Sequence, residues 1–181
     1  MKSITSYSLA IFLFFYGCAS TPKTTMPKQK DVPDWYLSPP KYEDKFIGVG
    51  DAQRPQMSLS KTVATTRAKA EIVRAVEEKM STLVKDYMQA SGVGSDASAI
   101  EFNESVTKAV SSKTLQGATI EKTEIINGRV FVMVIYDSQK AISAAKEATR
   151  SAAKKEEALY NEFKANQGFE NLDAELENLK P

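Results

Sequence analysis

An Asn-Gly dipeptide at residues 127–128 constrains the folding of this chain more than any other local feature. It separates two runs rich in β-branched residues, Ala118 to Ile126 and Arg129 to Tyr136. Asn-Gly favours a type I′ two-residue turn, whose twist matches that of paired strands. The sequence therefore predicts an antiparallel β-hairpin.

The two arms of this hairpin differ in polarity. The second arm, RVFVMVIY at 129–136, is apolar at nearly every position, which is typical of a central strand with both faces buried. The first arm contains Ile120-Glu-Lys-Thr-Glu124 and is half polar. Strands at a sheet edge or with one wet face have this composition.

The segment before the hairpin predicts a strand and a long helix. Residues 45–52 (KFIGVGDA) are apolar with two glycines that allow close backbone approach. Residues 58–90 follow a three-four spacing, and Gly92 ends the helix. Arg67 and Glu71 are spaced for an ion pair on its outer face. The predicted buried stripe is Leu59, Val63, Thr66, Ala70, Val73, Met80, Val84 and Tyr87, broadened by Val76 and Leu83.

Three further helical segments are predicted. Ser98-x-x-Glu101 is a capping box that opens a shorter helix to about Lys113. An alanine-rich helix spans Asp137 to Lys164, with Asp137 as its amino-terminal cap. The last amphipathic segment either docks on its own domain or contacts a neighbouring protein through Phe169, Leu172, Leu176 and Leu179.

The predicted fold class is therefore α+β. A small antiparallel sheet, formed by one strand and the hairpin, packs on the long helix, and an alanine-rich carboxy-terminal helix follows. We expect residues 34–137 to form the α+β domain and residues 138–181 a helical extension.

The first residues have the pattern of a signal peptide. Lys2 is followed by the apolar run 9–16, which is too short to cross a bilayer but fits a secretory apolar region. Gly17-Cys18 then resembles a bacterial lipobox, which implies a leader at 1–17 and a diacylglyceryl thioether on Cys18. The alternative is a leader cut elsewhere, with Cys18 as a stray thiol.

Residues 18–33 have the composition of a flexible tether. They are rich in proline, serine, threonine and lysine and have few large apolar residues. The lysines either contact anionic headgroups or are simply solvated. In bacterial lipoproteins, Ala19 after the lipidated cysteine implies the outer membrane, with the face left open.

Composition excludes several kinds of site. The chain has no histidine and one cysteine, so it can form neither a Cys/His zinc site nor an imidazole base. Loss of the leader removes one lysine and leaves 23 basic against 23 acidic residues, which argues against a nucleic-acid partner. Asp51 and Asp137 fit a turn and a helix cap better than acid-base catalysis, so we expect no catalytic residues, cofactor or metal.

Two short motifs could still bind a ligand. Gly48-Val-Gly50 is part of a dinucleotide fingerprint, but Gln53 stands where the third glycine belongs. Trp35 and Tyr36, flanked by prolines, could form a ligand platform. The other interpretation, which we favour, is a strap whose rings pack onto the domain.

These motifs occur in an order that resembles the LPP-twenty family of small bacterial lipoproteins. The resemblance rests on Pro33-Asp-Trp35, on Phe46-Ile-Gly48-Val-Gly50-Asp-Ala, and on the helix Val63-Ala-Thr-Thr-Arg67-Ala-Lys-Ala70-Glu-Ile-Val, and it covers about 33–136. It implies a small α+β domain similar in outline to dodecin, with no catalytic residues. The family includes a surface antigen and a flagellar ring lipoprotein.

Two classes of function follow as expectations. The first is a non-enzymatic, palmitate-bearing outer-membrane lipoprotein with a structural role in the cell envelope, with flagellar association as one option. Its partners are copies of itself or other envelope proteins. The second is a ligand-binding envelope lipoprotein that recognises a small aromatic molecule or a glycan through Trp35, Tyr36 and the crevice between helix and sheet.

Overall fold

A computed structural model of the protein describes residues 31–94 and 96–181. The signal peptide, Cys18 and the tether up to residue 30 lie outside these residues, so the predictions for them stay predictions. The described elements, in chain order, are α1 (Asp34–Leu37), β1 (Lys45–Ala52), α2 (Met57–Ser91), α3 (Asp96–Gly117), β2 (Thr119–Ile126), β3 (Arg129–Asp137), α4 (Ser138–Ala153), α5 (Glu157–Ala165) and α6 (Gly168–Leu176). The predicted α+β class is confirmed: a three-stranded antiparallel sheet packs against α2, and further helices follow.

The hairpin forms where the Asn-Gly dipeptide predicts it. Asn127 and Gly128 have φ angles of 50° and 76°, both positive as a type I′ turn requires. The strand order is β1-β3-β2, so β3 is central. Its side chains from Val130 to Val134 are buried, whereas β2 is exposed along nearly its whole length. The predicted central and edge positions are therefore confirmed.

Two glycines of β1 bring the strand unusually close to α2. A Cβ atom on Gly48 would overlap the carbonyl oxygen of Ala68, and one on Gly50 would overlap that of Ala64. The Gly-x-Gly motif of this chain therefore serves helix-strand packing.

This close approach corrects the predicted stripe of α2. The buried positions are Ser60, Ala64, Ala68, Ile72, Val76, Met80, Val84 and Met88. Leu59 is 46% exposed, and Thr66 is exposed as well. The apolar pattern pointed to the larger residues in the first half of the helix. The structure has small residues there because β1 approaches the helix closely at its two glycines.

The shorter helix begins earlier and ends later than predicted. α3 starts at Asp96 and reaches Gly117, so Ser98 lies inside the helix and does not cap it. The Ser98 hydroxyl instead donates a hydrogen bond to Glu156 Oε1 at 3.0 Å. Phe102, Val106 and Val110 are buried as predicted.

The alanine-rich helix is broken where one continuous helix was predicted. Asp137 caps α4 as expected, since its Oδ1 accepts from the Lys140 amide at 3.0 Å. The helix ends at Ala153, and α5 starts at Glu157. The intervening turn lets α5 place Leu159 and Phe163 in the core.

The last amphipathic segment docks on its own domain. Leu172, Leu176 and Leu179 have no exposed surface, and Phe169 stacks on Phe163 with ring centroids 4.9 Å apart. Of the two predicted alternatives, docking on its own domain is the one that the structure shows, because the chain itself covers the three leucines. None of the described helices is long and apolar enough to cross a bilayer.

The glycine contact predicts a strong effect of one added methyl group. Gly48→Ala should lower the free energy of unfolding by about 1–3 kcal/mol, because α2 must move away from β1. Denaturant unfolding of the full chain measures this. Lys61→Ala, at an exposed position in the first half of α2, is the control and should change the free energy of unfolding by less than about 0.5 kcal/mol.

The clash partner at Gly48 is a backbone oxygen, so a second substitution sharpens the test. Ala68→Gly should not restore the stability of Gly48→Ala, because it leaves that oxygen in place. Full rescue, or wild-type stability of Gly48→Ala alone, would contradict the contact.

Docking of α6 on the domain is tested by Leu172→Ala. Loss of a fully buried leucine should cost about 2–5 kcal/mol of global stability, seen as a lower unfolding midpoint by circular dichroism. Glu175→Ala, on the exposed side of the same helix, should change the midpoint little. Equal midpoints for the two variants would show that α6 does not stabilise the domain.

Candidate functional site

The described chain enters the domain beside the hairpin turn. Asn127 Nδ2 donates a hydrogen bond to Asp31 Oδ1 at 2.7 Å, and Pro33 two residues later is buried. A single helical turn, α1, then places Trp35 and Tyr36 against the sheet. Residues 31–33, the end of the predicted tether, are therefore fastened together with α1 at one defined end of the sheet.

Tyr36 is held by both its ring and its hydroxyl. Its ring packs edge-on against Phe131 of β3, with centroids 5.1 Å apart. Its hydroxyl donates to Asp51 Oδ1 at 2.7 Å, and the other oxygen of Asp51 pairs with Arg129 Nη1 at 2.9 Å. The contact links α1, β1 and β3.

Trp35 extends the same contact to β2. Its Nε1 donates to Glu124 Oε2 at 3.1 Å, and its ring meets Tyr36 edge to face at 6.3 Å. We call Trp35, Tyr36, Asp51, Glu124, Arg129 and Phe131 the strap cluster. It joins the leading segment to all three strands, and its rings pack on the sheet as the strap interpretation predicts.

The phenol of Tyr36 is a stable hydrogen-bond donor in this cluster. Burial, the hydrogen bond to Asp51 and the nearby negative charges of Asp51 and Glu71 raise its pKa from 10.0 to about 12, against a smaller opposite effect of Arg129. The neutral phenol therefore persists at physiological pH. This state suits a structural contact.

The other shifted groups have structural causes too. Burial raises the pKa values of Tyr87 and Tyr136. Arg150 has a raised pKa because it makes a bidentate hydrogen bond to Asp173, at 3.0 and 2.6 Å, which ties α4 to α6. These groups lie apart from the strap cluster.

The outer edge of β1 meets side chains of α2, a contact that the sequence analysis missed. Arg67 Nη1 donates to the carbonyl oxygen of Asp51 at 2.7 Å, and Glu71 Oε2 accepts from the Val49 amide at 2.6 Å. The two side chains were predicted to pair with each other. The sequence did carry one indication of these contacts. Arg67 and Glu71 lie next to the small buried residues of α2, Ala64 and Ala68, which bring the helix close to β1.

The outer edge of β2 is different. In the described part of the chain its only strand partner is β3. Ile120 and Ile125 are 42% and 54% exposed, and Lys122, Thr123 and Glu124 between them are exposed as well. This edge carries unpaired backbone donors and acceptors.

The described residues contain open grooves but no cluster of ligating side chains. One groove, of about 720 Å³, lies between α2 and α3 beside Met88 and Ile100. No group of three or more Cys, Asp or Glu side chains within 31–94 and 96–181 is placed to hold a metal ion. Every buried polar side-chain atom described there has a hydrogen-bond partner.

The structure places the predicted contact residues in two groups: Trp35 and Tyr36 lie in the strap cluster, and the other four lie in or against the apolar core. Phe169 is half-buried in the aromatic contacts of α5 and α6, and the three leucines are buried. No protein-family model matches this chain, and no curated protein matches its sequence.

The strap cluster predicts a pH-dependent contribution of Tyr36. Tyr36→Phe removes the hydroxyl but keeps the ring, and should cost about 1 kcal/mol at neutral pH. Because the folded pKa is raised from 10.0 to about 12, this contribution is complete below pH 10 and is lost as the pH rises towards 12. The variant should therefore lose less stability than wild type over that interval.

Unfolding midpoints measured from pH 8 to 12 test this, with Tyr42→Phe as a second variant that removes a phenol from the same segment. Tyr42 lies near Lys45 Nζ, 5.3 Å from its ring centroid, and that variant should keep the wild-type midpoint at neutral pH. Identical stability of Tyr36→Phe and wild type throughout would exclude the hydroxyl contact.

Proposed function

We propose that this chain is a non-enzymatic, lipid-anchored outer-membrane lipoprotein with a structural role in the cell envelope, of the kind that the LPP-twenty resemblance implies. In this proposal Cys18 carries the acyl chains, residues 19–30 form the tether, and the domain is held beyond it. The support is the lipobox-like sequence, the tether composition and the way the chain joins the domain.

The observation that carries the proposal is the attachment of the leading segment, from Asp31 onwards, to the end of the sheet that bears the hairpin turn. Twelve residues, 19–30, lie between Cys18 and Asp31, and at full extension the Cα atoms of Cys18 and Asp31 are about 45 Å apart. Asp31 is bonded to Asn127, and the strap cluster then fixes the next residues to all three strands. A pull on the anchor therefore acts on the sheet, with the hairpin turn nearest to the membrane.

Lipidation supplies the holding energy in this proposal. A single acyl chain gives marginal binding, and each buried methylene adds about 0.8 kcal/mol, so two or three chains on Cys18 hold the protein in the membrane durably.

The ligand-binding alternative has less support from the geometry. Both polar groups of its aromatic pair, Trp35 Nε1 and the Tyr36 hydroxyl, are engaged by Glu124 and Asp51. A ligand would have to displace these contacts or use the ring faces alone.

The anchor is tested by metabolic labelling with palmitate. Wild type should incorporate label and sediment with outer membranes, and Cys18→Ala should lose both properties, since no other cysteine is present. Thr21→Ala, three residues further along, should keep both. Label that persists in Cys18→Ala would overturn the proposal.

A further inference from the structure

The two edges of the sheet differ in whether their outward backbone groups have hydrogen-bond partners among the described residues. At β1, Glu71 accepts the Val49 amide and Arg67 donates to the Asp51 carbonyl, so α2 side chains occupy backbone groups there. At β2, an eight-residue strand is exposed and no described strand lies on its outer side. Among the described strands, β2 therefore offers the more open edge for a further strand to join.

We propose that β2 pairs with β2 of a second copy of this chain. The two strands run antiparallel about a twofold axis at Thr123, and the two sheets join into one of six strands. The inference deepens the proposed structural role by naming the partner, and it rests on that role; the pairing itself uses only residues of β2 and does not require the membrane anchor.

The backbone positions of β2 allow this pairing. Ile126 and Arg129 close the two-residue turn, and hydrogen-bonded and non-hydrogen-bonded pairs alternate along an antiparallel ladder. Thr123 and Ile125, paired with Val132 and Val130, therefore turn their backbone groups away from β3. These are the groups that a second strand can bond.

The charges of β2 select the register. With Thr123 opposite its own copy, Lys122 of each chain faces Glu124 of the other, which gives two opposite-charge pairs and a threonine pair. A shift that centres the axis on Lys122 or on Glu124 places like charges opposite each other. Of these three registers, only the one centred on Thr123 places opposite charges opposite each other, as a self-complementary twofold interface requires.

Two features of β2 limit how far the pairing extends. A register irregularity between Ile120 and Lys122 disturbs the start of the strand, and lysines at an edge discourage indiscriminate pairing. Residues 122–125 remain regular. Ile120 lies before this stretch and Ile125 ends it, and both exposed side chains lie on the face towards α2, where a second copy would cover them.

Cysteine cross-linking tests the proposal in the full-length chain. In a Cys18→Ala background, Thr123→Cys carries the only thiol, so a disulfide-linked dimer reports on β2 whether or not the anchor exists. We expect a dimer band after mild oxidation, because paired strands hold their Cα atoms within disulfide range. Ser143→Cys, exposed on α4, should remain monomeric.

The register is tested by mixing two variants in the same background. Lys122→Cys and Glu124→Cys should cross-link to each other and much less to themselves, since only the mixed pair lies directly opposite. Lys122→Glu should lower cross-linking at Thr123→Cys by about tenfold, and the double change Lys122→Glu with Glu124→Lys should restore it.

Failure of cross-linking at residue 123, or equal cross-linking at residues 123 and 143, overturns the pairing. These results are independent of palmitate labelling at Cys18, which alone decides the anchor.

Discussion

The contact between the glycines of β1 and the small residues of α2 determines most of this structure. Gly48 and Gly50 let the backbone of β1 lie directly against the turns at Ala64 and Ala68. The same contact brings Arg67 and Glu71 to the outer edge of β1, where their side chains take up backbone groups of the strand. Because β1 packs closely on α2, side chains of α2 occupy backbone groups at the outer edge of β1. The open edge of the sheet is therefore β2.

The leading segment and the carboxy-terminal helices complete the domain around that contact. The strap cluster covers Phe131 on the sheet face away from α2 and fixes the direction from which the chain arrives. On the other side, α3 to α6 share one apolar core with α2, and the Arg150–Asp173 pair joins α4 to α6. The point where the described chain enters the domain and the proposed self-pairing strand thus belong to the same sheet.

The sequence predicted the sheet better than the helices. Asn127-Gly128 and the polarity of the two arms determined the hairpin and the strand order, because turn chemistry and strand burial are local. The stripe of α2 was predicted wrongly at Leu59 and Thr66, because apolar spacing favours large residues and carries no information about how near the partner strand comes.

The site residues likewise divide into those with a local sequence pattern and those whose contacts are long-range. Trp35 and Tyr36 were identified from their composition alone, and the structure joins them, but their partners Asp51, Glu124 and Arg129 come from three different strands. The break after Ala153 and the burial of Leu172 depend equally on tertiary contacts. Such long-range partners have no local pattern in the sequence.

Hydrogen exchange at the two edges tests the central claim most directly, which is that β1 is closed by α2 while β2 is open to a second copy. The Val49 amide, bonded to Glu71, should exchange slowly at every protein concentration. The amides of Thr123 and Ile125 should exchange quickly in dilute full-length protein and become protected as the concentration rises. Exchange at these two amides that does not depend on concentration, or fast exchange at Val49, would contradict the account.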